Sequence, residues 1–162
     1  MTTFITIEDI KSITSISDNV DVELLSPHLS IAQDMYITPV LGDALSEGLQ
    51  KQIEEGNVSG DTEVLLQKYV TPALAYYTWF SASPFMAYKH QRSGVVKQTS
   101  DNSESVDMEE FAYLTRRIEN TAIHYTTLLY DYLEANKDKH PLYRTDARPR
   151  SKTRGIYTGF RK

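Results

Sequence analysis

Several residue types and patterns are missing from this chain of 162 residues, and each absence excludes a class of function. The chain has no cysteine, which excludes disulfides, thiolate metal sites and a cysteine nucleophile. It has only seven glycines, none arranged in the loops that bind nucleotide phosphates. No run approaches the ~18 uninterrupted apolar residues of a membrane-spanning helix, and the N-terminus lacks a secretory signal pattern. We therefore expect neither a membrane protein nor a nucleotide-binding one.

Patterns of catalysis and metal binding are also absent. The four histidines are scattered at positions 28, 90, 124 and 140, without the spacing that pairs metal ligands on a helix. The adjacent acids Glu54-Glu55 and Glu109-Glu110 point about 100° apart on a helix, so neither pair can share a proton. No serine lies in a G-x-S-x-G or S-x-x-K pattern. The sequence predicts no catalytic residue, no metal site and no cofactor, and we expect a protein that is not an enzyme.

The charge is divided unevenly along the chain. Residues 1–138 contain 9 Lys and Arg against 21 Asp and Glu, a net charge of −12, whereas residues 139–162 contain 8 against 1, a net charge of +7. The second stretch also has two prolines, two glycines and few large apolar side chains, so it cannot bury enough surface to fold alone. We therefore divide the chain into a helical domain, 1–138, and an extended basic C-terminal arm, 139–162.

Apolar residues recur at helical spacing through most of the helical domain. The longest stripe steps by three or four residues without interruption by Gly or Pro, at Phe111, Leu114, Ile118, Ala122, Tyr125, Leu129 and Tyr132. Residues 73–80 are apolar on nearly all sides, which indicates a central buried helix. Pro39 and Pro72 are expected to break or bend their helices.

The expected architecture is all-α, a small bundle of four to five helices with a long C-terminal helix. Thr6, with Asp9 three residues later, indicates the start of the first helix. Residues 90–106 are polar and lack a helical stripe, which favours a loop or a hairpin. The eleven tyrosines either fill half-buried helix positions or form an oligomeric or partner surface, because tyrosine is also enriched at interfaces.

The arm is the one stretch with the chemistry of an interaction site. In an extended chain alternate residues share a face, and this spacing groups most of its basic side chains and, separately, its apolar tip. We predict that it binds a partner through Arg148, Arg150, Lys152, Arg154, Ile156, Tyr157 and Phe160. A solvated tail and a nucleic-acid-binding arm are the alternatives. The acidic domain opposes an approach to DNA, and the apolar tip favours a protein partner.

Two segments resemble a known family. IAQDMYITPVLGDALSEGL (residues 31–49) is similar to a signature of small all-α neck proteins of tailed phages, the head–tail connector or adaptor proteins. YVTPALAYYTWFSASPFMAYKHQRSGVVK (residues 69–97) is similar to the segment that follows in those proteins, an aromatic helix rich in Pro and Ala and then a polar loop entered by Gly-Val. The order of elements, with a long last helix and a trailing arm, also agrees.

The resemblance implies a virion structural protein and not an enzyme. Such proteins form a ring, commonly dodecameric, that docks beneath the portal, extends the DNA channel and joins the tail or further neck proteins. DNA would pass without specific binding, and the arm would reach the portal or a neighbouring subunit. The expected location is the virion neck, after assembly in the host cytoplasm. The alternative function is a nucleic-acid-binding accessory or packaging factor that uses the basic arm.

Overall fold

The computed structural model of the protein describes residues 2–16, 19–91, 94–97 and 108–143, with side chains described except at 87–91 and 94–97. The fold is all-α, as the sequence predicts. Its helices are α1 (Ile7–Ile13), α2 (Val22–Ala32), α3 (Thr38–Leu41), α4 (Asp43–Glu54), α5 (Asp61–Leu65), α6 (Thr71–Ala87) and α7 (Met108–Ala135). Two π-helical turns, Gln33–Ile37 and Leu66–Val70, join α2 to α3 and α5 to α6. The described residues therefore form a bundle of five continuous helical rods, of which α7 is the longest.

Each π turn lies beside a proline within the same short motif, Tyr-(Ile/Val)-Thr-Pro-(Val/Ala)-Leu, at residues 36–41 and 69–74. Proline lacks an N–H, and its ring clashes with the carbonyl four residues back. In the π turns the N–H of Thr38 bonds to the Gln33 carbonyl and that of Thr71 to the Leu66 carbonyl, five residues back. The wider turn accommodates the ring, so the helical backbone continues through both prolines. The predicted interruption at Pro72 is therefore wrong, as is a break at Pro39, and the rod formed by α2 and α3 ends instead at Gly42, with φ of 78°.

Local signals set several helix ends. Thr6 and Asp9 form the predicted capping box before α1, with the Asp9 N–H donating to Thr6 Oγ1 and the Thr6 N–H to Asp9 Oδ2. Asp21 caps α2 by accepting from the Glu23 N–H. After α4, Gly56 adopts φ of 64°, and its N–H bonds to the Ile53 carbonyl in a Schellman turn.

Helix α6 is the centre of the bundle, because it packs against α1, α2, α7 and the π turns. Its residues Ala73, Leu74 and Ala75 are fully buried, as expected for a helix that is apolar on all sides. The fully buried large side chains come from every rod: Tyr77, Ile10, Leu25, Ile37, Leu41, Leu49, Leu65, Leu74, Leu129, Leu133, Gln33 and Val70. Each such aliphatic side chain contributes roughly 1.5–3 kcal/mol through its removal from water.

A short antiparallel hairpin follows α6. Its strands are β1 (Tyr88–Gln91) and β2 (Gly94–Lys97), with Tyr88 opposite Lys97 and Gln91 opposite Gly94. The hairpin agrees with the predicted loop or hairpin, although it begins two residues earlier than residue 90. Residues 98–107 of that predicted segment lie outside the described residues. The hairpin leaves from the end of α6, which runs one turn beyond Pro84.

Candidate subunit and partner interface

The arm residues predicted to bind a partner lie outside the described residues: Arg148, Arg150, Lys152, Arg154, Ile156, Tyr157 and Phe160. The structure does describe the first five residues assigned to the arm, 139–143. His140 and Tyr143 are buried there, at 3% and 7% exposure. This stretch therefore packs on the helical bundle, and the rest of the arm, from residue 144, lies outside the described residues.

Four contacts hold this C-terminal turn, defined as residues 136–143. The Tyr143 hydroxyl donates to Glu134 Oε1 at 2.9 Å, and Lys139 Nζ pairs with Asp61 Oδ1 at 3.0 Å. His140 Nε2 lies 3.4 Å from the Tyr132 hydroxyl. A side chain at Gly48 would lie 2.6 Å from the Leu142 Cδ1 atom, so the missing Cβ of α4 provides room for Leu142.

The titratable groups of the turn respond to this packing. The Lys137 ammonium, which hydrogen-bonds to Glu134 at 2.8 Å, lowers the pKa of that carboxyl, and the bond from Tyr143 acts in the same direction. Burial raises the pKa of Tyr143. Burial lowers the pKa of His140, while Lys139 also lowers it and Asp61 and Asp138 act to raise it.

We predict that stability falls as the pH drops below about 6.5, partly because of His140. Its pKa in the folded state lies below the ordinary value of 6.5, so the unfolded chain binds its proton first. The stability that the neutral, buried His140 contributes is therefore fully present above about pH 6.5, and it is lost as the pH falls through the lowered pKa of the folded state. Burial of His28 acts in the same direction. Urea unfolding of the unaltered protein and of His140→Gln, between pH 8 and 5, measures this contribution. If the free energy of unfolding of both proteins changed with pH in the same way, the prediction would be contradicted.

Most tyrosines stack between helices inside the bundle. Tyr36 stacks on Tyr77 with ring centroids 4.0 Å apart, and Tyr69 stacks on Tyr132 at 4.2 Å. Both Tyr36 and Tyr69 are the first residue of a Tyr-(Ile/Val)-Thr-Pro motif, so each π turn presents a ring to a neighbouring rod. Tyr36, Tyr69 and Tyr132 fill half-buried helix positions, which was one of the two interpretations of the tyrosine content, whereas Tyr77 is fully buried. Tyr113, on α7, differs because 58% of its surface is exposed.

An apolar groove of about 500 Å³ lies between α6 and the first half of α7. Its lining residues are Tyr76, Trp79, Ser83, Met86, Phe111, Leu114, Thr115, Arg117, Ile118 and Thr121. The apolar stripe of α7 continues through the groove, but the burial of its residues differs between the two halves of the helix. Ala122 and Leu129 are fully buried, whereas Leu114 is 47% exposed. The first half of α7 thus carries a core-forming stripe that is left partly uncovered.

The distribution of burial along α7 shows where the groove is open. The buried residues of α7 are all at Ala122 or later. The second half of α7 packs on α6 and on the second π turn, for example through the stack of Tyr132 on Tyr69. The first half lies along α6 from Tyr76 to Met86, and the groove lies between them.

The polar groups of the groove are mostly satisfied within their own helices. The Ser83 hydroxyl donates to the Trp79 carbonyl at 2.7 Å, and the Thr121 hydroxyl donates to the Arg117 carbonyl at 3.0 Å. The Arg117 guanidinium donates to the Tyr113 hydroxyl at 3.2 Å and lies over its ring at 5.8 Å. The groove therefore offers apolar and aromatic contact area, which suits apolar side chains of a partner.

No alternative site chemistry appears among the residues that the structure describes. Within those ranges no group of three or more His, Cys, Asp or Glu side chains could hold a metal ion. His28 is buried, bonds to the Ser81 hydroxyl at 3.0 Å and packs on the Phe85 ring, which is a structural role. In the same described part of the chain, no helix has the length and apolarity needed to cross a membrane.

Comparison with known proteins places the chain in a family. Residues 37–153, more than two-thirds of the chain, match a family of unknown function, DUF6712. The chain belongs to this family. No curated protein sequence and no solved structure matches it.

The region that matches DUF6712 contains α3 to α7, and so both walls of the groove, together with the arm up to residue 153. Sequence reasoning did not identify the groove of this DUF6712 protein as a site. A signal was present, because the apolar stripe of α7 continues to Phe111 and Leu114, which line the groove. Periodicity alone shows that a stripe exists but not which of its turns meets a neighbouring helix.

Proposed function

We propose that this DUF6712 protein is a virion structural protein, a subunit of a head–tail connector ring that docks beneath the portal and joins the tail. The two segments that resemble neck proteins support this proposal. They fall on consecutive parts of the bundle: residues 31–49 run from α2 to α4, and residues 69–97 run from the second π turn through α6 to the hairpin. The all-α fold and the long last helix agree with the order expected from the resemblance.

The observation that carries the proposal is the uncovered apolar stripe on the first half of α7. A ring subunit presents a face to each neighbour, and such faces are apolar and aromatic at their centre. Among the described residues of one chain that face is left uncovered, as Leu114 and Tyr113 are here. The proposed location is the virion neck, and the proposed role is not catalytic.

Electron microscopy of the full chain, alone and mixed with the portal of the same virus, tests the proposal. We expect closed rings in at least one of the two samples. Absence of rings and of portal complexes in both would contradict it. The alternative, a nucleic-acid-binding factor, predicts that affinity for duplex DNA falls with salt, with a log–log slope of about −0.9 per phosphate contact.

Deletion of residues 144–162 tests the role of the arm. The buried His140 and Tyr143 show that a deletion must start after Tyr143, since an earlier one removes packed side chains. We expect the shortened protein to keep the helical circular dichroism of the full chain but to lose attachment to the portal or to a neighbouring subunit. Normal attachment of the shortened protein would contradict the docking role of the arm.

A further inference from the structure

We propose that the groove between α6 and α7 is the binding site for the apolar tip of the arm, residues 156–160 of this chain. The proposal goes beyond the connector assignment, because it names an acceptor surface on the protein itself. It can be tested on the purified protein without a portal or a tail.

Composition identifies the occupant. The longer stretches of the chain outside the described residues are 98–107 and 144–162. The first, QTSDNSESVD, contains a single large apolar residue, Val106, and cannot fill an apolar groove. The second contains Ile156, Tyr157 and Phe160 within five residues. Of these two stretches, the second is therefore the one whose aromatic and aliphatic side chains suit the groove.

Dimensions agree with this assignment. The groove follows α7 from Phe111 to Thr121, ten residues and about 15 Å at the rise of an α-helix. Five residues in an extended conformation, 156–160, span about 16 Å. Alternate side chains of an extended segment share a face, so Ile156 and Phe160 would point together towards the groove. Extended peptides bind aromatic-lined grooves in this way in other recognition domains.

The arm is also long enough. The bond between Tyr143 and Glu134 places the described end of the chain beside the last turns of α7. From there to Ile118 the distance along the helix is about 24 Å, for sixteen residues. The thirteen residues from 143 to 156 span up to about 43 Å. The tip can therefore reach the groove of its own chain or of a second copy.

Charge favours the same pairing. The described residues contain 9 Lys and Arg against 17 Asp and Glu, a net charge of −8, whereas residues 144–162 contain 7 against 1, a net charge of +6. The exposed acids Glu109 and Glu110 precede Phe111 in the first turn of α7, at one end of the groove. Basic residues flank the tip on both sides, at Arg154 and Arg161. Attraction between the two parts would concentrate the tip near the bundle.

Trp79 provides a direct test, because it is the single tryptophan of the chain and lines the groove. In the full chain we expect the double variant Ile156→Ser/Phe160→Ser to shift Trp79 emission to longer wavelength and to raise its acrylamide quenching constant. The matched control, Thr145→Ser/Thr153→Ser, should leave both unchanged. Unchanged emission and quenching in the tip variant would overturn the proposal, whether Trp79 is then exposed or shielded by another surface.

A second measurement tests the groove directly. A labelled peptide of residues 150–162 should bind the full-length tip variant, as measured by fluorescence anisotropy, and a scrambled peptide of the same charge should bind less. Leu114→Asp, at an exposed groove position, should abolish binding. Leu128 is also an exposed leucine of α7 but does not line the groove, so Leu128→Asp should leave binding unchanged. Equal binding to both variants would overturn the proposal, and it would leave the connector proposal to the microscopy.

Discussion

Replacing Tyr77 by Ala is expected to lower the free energy of unfolding by about 3–5 kcal/mol, the range for removing a buried aromatic side chain. Tyr77 joins three rods. It lies on α6 at 1% exposure, stacks on Tyr36 from the rod formed by α2 and α3, and its hydroxyl hydrogen-bonds to Thr126 on α7. Burial raises its pKa to about 12, so the hydroxyl stays protonated over the working pH range. Its loss leaves a cavity that the rigid rods cannot close.

Urea unfolding followed by circular dichroism measures the effect of Tyr77→Ala. Tyr77→Phe is the matched control, since it keeps the ring stack and removes only the hydroxyl. We expect it to cost about 1 kcal/mol, the usual value of one hydrogen bond. If both variants had the same stability, the stack of Tyr77 on Tyr36 would not contribute the stability assigned to it here.

Gln33→Leu is expected to cost about 2–4 kcal/mol and to release the N-terminal segment. Gln33 is fully buried at the start of the first π turn. Its side-chain oxygen accepts from the Phe4 N–H at 2.8 Å, and its nitrogen donates to the Thr2 carbonyl at 3.1 Å. Leucine fills similar space but leaves two backbone groups unpaired, and each costs about 1–3 kcal/mol.

Two measurements check the Gln33 prediction. The free energy of unfolding should fall, and the Phe4 amide should lose its protection from hydrogen exchange, because Gln33 is its acceptor. Gln67→Leu is the control: Gln67 is exposed and bonds only to Glu63, so the change should be within about 0.5 kcal/mol. A Phe4 amide that remains protected in Gln33→Leu would show that another group holds residues 2–5.

Local sequence signals determined much of the secondary structure. The capping box at Thr6 and Asp9 and the long stripe of α7 depend on residues close together in sequence, so capping chemistry and periodicity predicted them. The apolar surround of residues 73–80 placed α6 at the centre. The prediction was wrong at Pro72, because the π turn that accommodates the proline cannot be recognised from the spacing of the apolar residues. Repetition of the Tyr-(Ile/Val)-Thr-Pro motif was the visible hint.

Other features depend on contacts between distant residues. The hydrogen bond between Phe4 and Gln33 and the packing of Leu142 against Gly48 join segments far apart in sequence. Asp61, the first residue of α5, has a side chain that could cap a helix, but it pairs with Lys139, and Gly60 occupies the cap position. The side-chain chemistry of Asp61 allows either partner, and the position of the C-terminal turn selects one.

The sequence by itself determined the all-α class, the central helix and the contrast between an acidic domain and a basic arm, because composition and periodicity act locally. Only the tertiary structure decided which half of α7 is buried and that residues 139–143 belong to the bundle. Burial depends on where neighbouring rods end, and no local pattern records that. The groove on the first half of α7 is the consequence, and it is the surface on which we expect the arm to act.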